Sequence, residues 1–139
     1  MLTRVLIAAF LLVAVPGAVS AQDAAVATLG LTDHKVTDEE LTSGAALAAP
    51  KFNTPGVAYV VVAHAKKGDK IELHLTKDGE SLMHNVRELD ADEDGVLVMA
   101  GKTGVPAGGW PKGSYTAKVK VTRGGETIAE QETDPIPFE

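Results

Sequence analysis

Residues Tyr115 to Thr122 alternate without a break, and the Arg123-Gly124-Gly125-Glu126 tetrad follows directly. Tyr115, Ala117, Val119 and Val121 fall on one side of an extended chain, and Thr116, Lys118, Lys120 and Thr122 on the other. That period of two marks a strand with one buried face. Two adjacent glycines supply the positive φ angles of a tight hairpin, so Thr127-Ile128-Ala129 is expected to start the return strand. With a plain two-residue loop Val121 faces Ile128, but Glu130 then faces Val119. A bulge near the turn would rotate Ala129 inward instead.

Upstream, the chain repeats this logic. Val57-Ala58-Tyr59-Val60-Val61-Val62-Ala63 is apolar throughout, as a strand buried on both faces is. Lys66-Lys67-Gly68-Asp69 reads as a turn, after which Ile71, Leu73 and Leu75 alternate with Glu72, His74 and Thr76. Asp78-Gly79 is a hairpin signal, Ser81 to Leu89 returns, Asp90 to Gly95 turns, and Val96 to Ala100 reads as another buried strand. A Gly- and Pro-containing loop from Gly101 to Pro111 leads to the final hairpin. Before residue 55 the signals are sparser. Ala27 to Thr32 suits a short first strand, and Thr37 with Glu40 has capping-box spacing for one helical turn. Ala45 to Ala49 reads as a loop, and Asp134-Pro135-Ile136-Pro137-Phe138 as an edge or tail, because neither proline can donate to a ladder. The expectation is an all-β, immunoglobulin-like antiparallel β-sandwich of about seven strands, preceded by a signal peptide. Residues 22–54 are an N-terminal segment of that single domain, and residues 55–139 are its main part.

Met1-Leu2-Thr3-Arg4, the apolar run Val5 to Val15, the Pro16-Gly17 break and Val19-Ser20-Ala21 have the layout of a secretory signal peptide spanning residues 1–21. The run is short for a bilayer core, which takes about 20 residues, so cleavage after Ala21 is favoured over a retained anchor. The expected destination is periplasmic or secreted, with no stable membrane span after cleavage. Cleavage removes Arg4 and no acid, leaving the remainder one unit more acidic than the net −6 of the whole chain. An acidic domain without a basic patch excludes nucleic acid as a partner. With no cysteine in the chain there is no disulfide and no lipid attachment through a thiol.

The Trp110-Pro111-Lys112-Gly113-Ser114-Tyr115 turn, the Arg123-Gly124-Gly125-Glu126 hairpin, Gly68-Asp69-Lys70-Ile71 and Lys77-Asp78-Gly79-Glu80 together resemble bacterial exported immunoglobulin-like domains. The resemblance covers residues 55–133. It implies a binding or accessory role, and it places Tyr115 as a tyrosine corner at the start of the penultimate strand. Ala117 stands where antibody domains have a cysteine. Trp110 is expected to pack as a turn anchor and not to serve as a ligand platform.

Three sets of residues invite chemistry. Asp90, Asp92 and Asp94, followed by Gly95, spell the first half of a calcium loop, in which alternate carboxylates converge on one cation. The twelfth position is Gly101 where a bidentate Glu is needed, so a solvated acidic loop competes with that reading. His34, His64, His74 and His84, with Met83 and Met99, suggest copper or zinc. Strand arithmetic opposes it: an unbulged Asp78-Gly79 hairpin sets Leu73 opposite His84 and His74 opposite Met83, sending the two histidines to opposite faces. A hairpin through Lys66-Lys67-Gly68-Asp69 would in turn set His64 opposite Ile71. No cysteine nucleophile, G-x-S-x-G, H-E-x-x-H or P-loop is present, so catalysis is not expected. The function expected is a non-enzymatic, monomeric, exported binding domain for an envelope protein or extracellular ligand. Metal binding, by calcium or by copper, is the alternative.

Overall fold

In the computed structural model, which describes residues 24–44, 46–102 and 104–139, the chain forms seven strands and one short helix. The expected leader, residues 1–21, lies outside the described residues. The strands are β1 (Ala25–Thr32), β2 (Gly56–Ala65), β3 (Lys70–Lys77), β4 (Glu80–Glu88), β5 (Glu93–Lys102), β6 (Tyr115–Arg123) and β7 (Glu126–Glu132), with α1 (Asp38–Ser43) between β1 and β2. They make two antiparallel sheets, one ordered β1-β2-β5 and one ordered β4-β3-β6-β7. This is the all-β sandwich that the alternating segments demanded. The constant-type immunoglobulin arrangement puts the fourth strand beside the first sheet; here β4 is an edge of the second.

The core is the meeting of the two inner faces. Ala58, Val60 and Val62 of β2 and Val96, Val98 and Ala100 of β5 face Ile71, Leu73 and Leu75 of β3 and Ala117, Val119 and Val121 of β6. All of these are buried, and burial of each aliphatic side chain stabilises the fold by about 1.5–3 kcal/mol. β2 and β3 lie in different sheets, so the connection Lys66 to Asp69 crosses the sandwich and is not a hairpin. His64 is consequently not opposite Ile71, as the sequence reading had it.

The outer faces differ. Over the first sheet lies the segment between β1 and β2. Val36 is buried and its N–H donates to Met99 Sδ at 3.2 Å, while Thr32 Oγ1 donates to Ala48 O at 2.8 Å. This cover is why Val57 and Tyr59, on the outer side of β2, are also buried. Thr37 caps α1 through a complete capping box with Glu40, and Gly44 closes it at φ 73. The outer face of the second sheet carries no such cover and is charged.

One end of the sandwich is pinned by aromatic side chains. Trp110 is buried, donates from Nε1 to Thr54 O at 2.8 Å, and meets the Tyr115 and Phe138 rings edge-on. Tyr115 donates its hydroxyl to Pro111 O, four residues upstream, which is the tyrosine-corner contact. The tail pairs with Tyr115 through Ile136 and then folds Phe138 flat onto the Tyr115 ring, with centroids 3.8 Å apart. Gly56 leaves the space that ring needs, since a Cβ there would lie 2.9 Å from Phe138. The tail is thus an edge, as its prolines require, and also part of the core.

Candidate functional site

The bare face of the second sheet is built as transverse rows, because antiparallel partners stand directly opposite. One row runs Val86, Glu72, Lys120, Glu130; the next runs His84, His74, Lys118, Glu132. Opposite charges therefore alternate across β3, β6 and β7. At the β4 end the second row becomes a pair of imidazoles.

That pair corrects the sequence reading. The Asp78-Gly79 turn is a two-residue loop with φ 51 and φ 88, as expected. A bulge then shifts the register between Leu75 and Thr76, so His74 stands opposite His84 and Leu75 opposite Met83. The rings share one face, with centroids 5.5 Å apart and planes inclined by 29°. Met83, by contrast, packs against the core, and Met99 accepts from the Val36 N–H. The proposed His/Met set is therefore divided: two histidines come together and the methionines do not join them. His34 is elsewhere, between Asp33 and Glu40. When its ring is protonated, Nδ1 donates to Asp33 Oδ1 at 2.8 Å and Nε2 to Glu40 Oε2 at 2.6 Å. Those two hydrogen bonds, Asp33 first, hold its pKa above the ordinary imidazole value.

His74 is oriented by its neighbours. Its Nδ1 lies 2.7 Å from Ser81 Oγ, and its Nε2 lies 3.7 Å from Glu72 Oε2. A shallow depression around them is lined by Glu72, His74, Ser81, Lys118, Lys120 and Glu130.

The acidic run does not close into a loop. β5 begins at Glu93, so Asp94 is a strand residue with its side chain 99% exposed, and Gly95 pairs with Ala63. Asp92 accepts from the Lys67 N–H at 2.8 Å, and Asp90 is exposed. Asp94 Oδ1 stands 3.7 Å from His64 Nδ1. Among the described residues no three His, Cys, Asp or Glu side chains are already gathered to hold a metal ion.

The strand edges supply a different kind of site. Unpaired edges invite strand addition unless they carry charge, proline, a bulge or a cover. β4 carries Glu80, Arg87 and Glu88; β7 carries Glu126, Glu130 and Glu132; β5 carries Glu93 and Asp94, and its Met99 O is taken by Asn85 Nδ2 at 2.9 Å. β1, Ala-Val-Ala-Thr-Leu-Gly-Leu-Thr, has no charge and no proline. Its one irregularity falls between Val26 and Thr28, leaving Thr28 to Thr32 in regular register with β2. No turn or loop among the described residues hydrogen-bonds to the backbone of Ala25 to Leu31. The sequence alone could not locate this edge, since an edge is defined only by which strands are neighbours.

The groups with displaced pKa values serve structural contacts. The Arg123 guanidinium holds the buried Asp69 carboxyl below the usual carboxylate range, and Ser114 N–H followed by Lys77 does the same for Asp78. Burial raises Tyr59 and Tyr115. A cleft of about 740 Å³ lies at the Trp110 end between Phe52, Lys112, Pro137 and Phe138. No helix among the described residues is long and apolar enough to cross a membrane. No protein-family model matches the chain, and no curated protein matches it.

Proposed function

We propose that the protein is a non-enzymatic, exported binding or accessory domain of the bacterial immunoglobulin-like type, working as a monomer in the periplasm or after secretion. Its partner is an extended segment of another envelope or extracellular protein, added as a strand beside β1. The observation that carries this reading is the β1 edge, uncharged and in regular register from Thr28 to Thr32, beside three edges that carry charge. Main-chain hydrogen bonds would give affinity, and alternate side chains of the partner would set specificity.

The test is native mass spectrometry of protein recovered from the exported fraction, comparing wild type with an Ala27→Lys, Thr28→Lys double variant. Both positions are exposed, so the added charges block the edge without entering the core. A complex present in the wild type and lost in the variant, with slowed hydrogen exchange at β1 amides in the complex, is the expected result. A complex that survives both lysines, or recovery of the wild type alone, overturns the proposal.

A further inference from the structure

From the cross-strand histidine pair we infer a second site, independent of the β1 edge: His74 and His84, with Glu72, bind one late first-row divalent cation, Cu(II) most tightly, on the open face of the second sheet. Three measurements point there. First, the ring separation fits. A cation about 2.0–2.1 Å from a ring nitrogen lies about 3.2 Å from that ring's centroid, and two such rings at a tetrahedral angle have centroids about 5.2 Å apart. The observed separation is 5.5 Å. The rings are stacked, with planes 29° apart, so the register supplies the spacing and the exposed His84 ring must turn about its side-chain bonds to aim a nitrogen at the shared ion.

Second, His74 is held as metal-ligating histidines are held. One ring nitrogen is engaged by a hydroxyl, Ser81 Oγ at 2.7 Å, which fixes the ring and leaves Nε2 as the available donor. Third, that Nε2 stands 3.7 Å from the Glu72 carboxylate. This exceeds a hydrogen bond but is close to the spacing of about 3.4 Å between two ligand atoms on one tetrahedral ion. Two imidazoles and a carboxylate form a mixed nitrogen and oxygen set, which suits Cu(II), Ni(II) and Zn(II), and among divalent ions Cu(II) heads the affinity order.

Lys118 and Lys120 border the pair on β6, and Glu130 and Glu132 on β7 balance them. Local charge is therefore near neutral, and the donors, not the field, set affinity. Water completes the coordination on the solvent side. The site depends on Leu82 staying out of the ladder, because pairing it with Leu75 would set His74 opposite Met83 and send the two rings to opposite sides of the sheet.

The experiment is a calorimetric titration of the tag-free protein with Cu(II), and separately with Zn(II), followed by electron paramagnetic resonance of the Cu(II) form. One equivalent of Cu(II) is expected, with hyperfine splitting from two nitrogens. His74→Ala and His84→Ala each weaken binding at least tenfold, and Ser81→Ala, which frees the ring, weakens it about tenfold. Glu72→Gln has a smaller effect. His34→Ala and His64→Ala leave the titration unchanged. Each variant's thermal unfolding, measured without metal, separates loss of the ligand from loss of the fold. Wild-type affinity in a folded His84→Ala protein, or a Cu(II) spectrum without imidazole nitrogen, overturns the assignment.

Discussion

The β3–β4 and β6–β7 hairpins are built alike and used differently. Each closes through two residues of positive φ, Asp78-Gly79 and Gly124-Gly125, and each has a register shift just beyond the turn. In β6–β7 the shift serves the core: Val121 comes opposite Ala129, and Ile128 and Ala129 both pack against buried residues. In β3–β4 it leaves Leu82 and Val86 exposed and aligns two histidines on the open face. One extra residue near a turn rotates every later side chain to the other side of the sheet. What the rotation achieves depends on what lies above and below each strand.

Anchoring of the two turns differs as well, and this yields the largest expected effect. Arg123, at the base of the β6–β7 turn, donates to both oxygens of buried Asp69 at 2.8 and 2.9 Å. Removing it leaves a buried carboxylate without its guanidinium, so Arg123→Ala is expected to cost about 3 kcal/mol, measured by urea denaturation at neutral pH. The pH dependence has a definite sign. Asp69 is depressed in the folded protein, chiefly by the Arg123 hydrogen bonds. Its contribution is present above the unfolded carboxyl pKa of about 3.9 and is lost as pH falls through the lower folded value. In Arg123→Ala the acid-unfolding midpoint therefore moves to higher pH, and an unmoved midpoint would break the comparison.

Paired deletions probe the bulges themselves. Deleting Ile128 removes the bulge but keeps Ala129 opposite Val121, so the expected cost of about 2 kcal/mol is that of the Ile128 packing against the core. Deleting Leu82 removes the other bulge and an exposed side chain, keeps His84 opposite His74 and Asn85 opposite Leu73, and is expected to cost less, about 1 kcal/mol. Neither deletion is expected to abolish Cu(II) binding, because both leave His74 opposite His84. Equal costs in chemical denaturation would show that both bulges serve the core. Smallest is Asp78→Ala, which removes the exposed carboxylate that accepts from the Ser114 N–H at 2.9 Å. Its denaturation midpoint is expected to fall by less than that of any other variant named above.

These contrasts also explain what could be read in advance. The β7 bulge was legible because an unbulged register sets Glu130 against Val119 in the core, and that conflict is visible in the residues alone. The β4 bulge was not. Leu82 and Val86 suggest an inward-facing set that an unbulged strand would satisfy. β4 is an edge strand, however, and its inward positions reach across to β5: Asn85 Nδ2 donates to Met99 O at 2.9 Å and Arg87 to Glu93 Oε2 at 3.0 Å. Those contacts take polar side chains, so the local pattern pointed to the wrong register.

By itself the sequence determined that this chain makes strands, where they turn, and which one is buried on both sides, because alternation, paired glycines and an unbroken apolar run act locally. It also determined the cap on α1 and the tyrosine corner, whose partners lie within four residues. Only the tertiary structure decided that β2 and β3 part into different sheets, that Phe138 returns to cover Tyr115, that β1 is the unguarded edge, and that His74 meets His84. Each of these depends on partners distant in the chain, and their packing energies have no local signature.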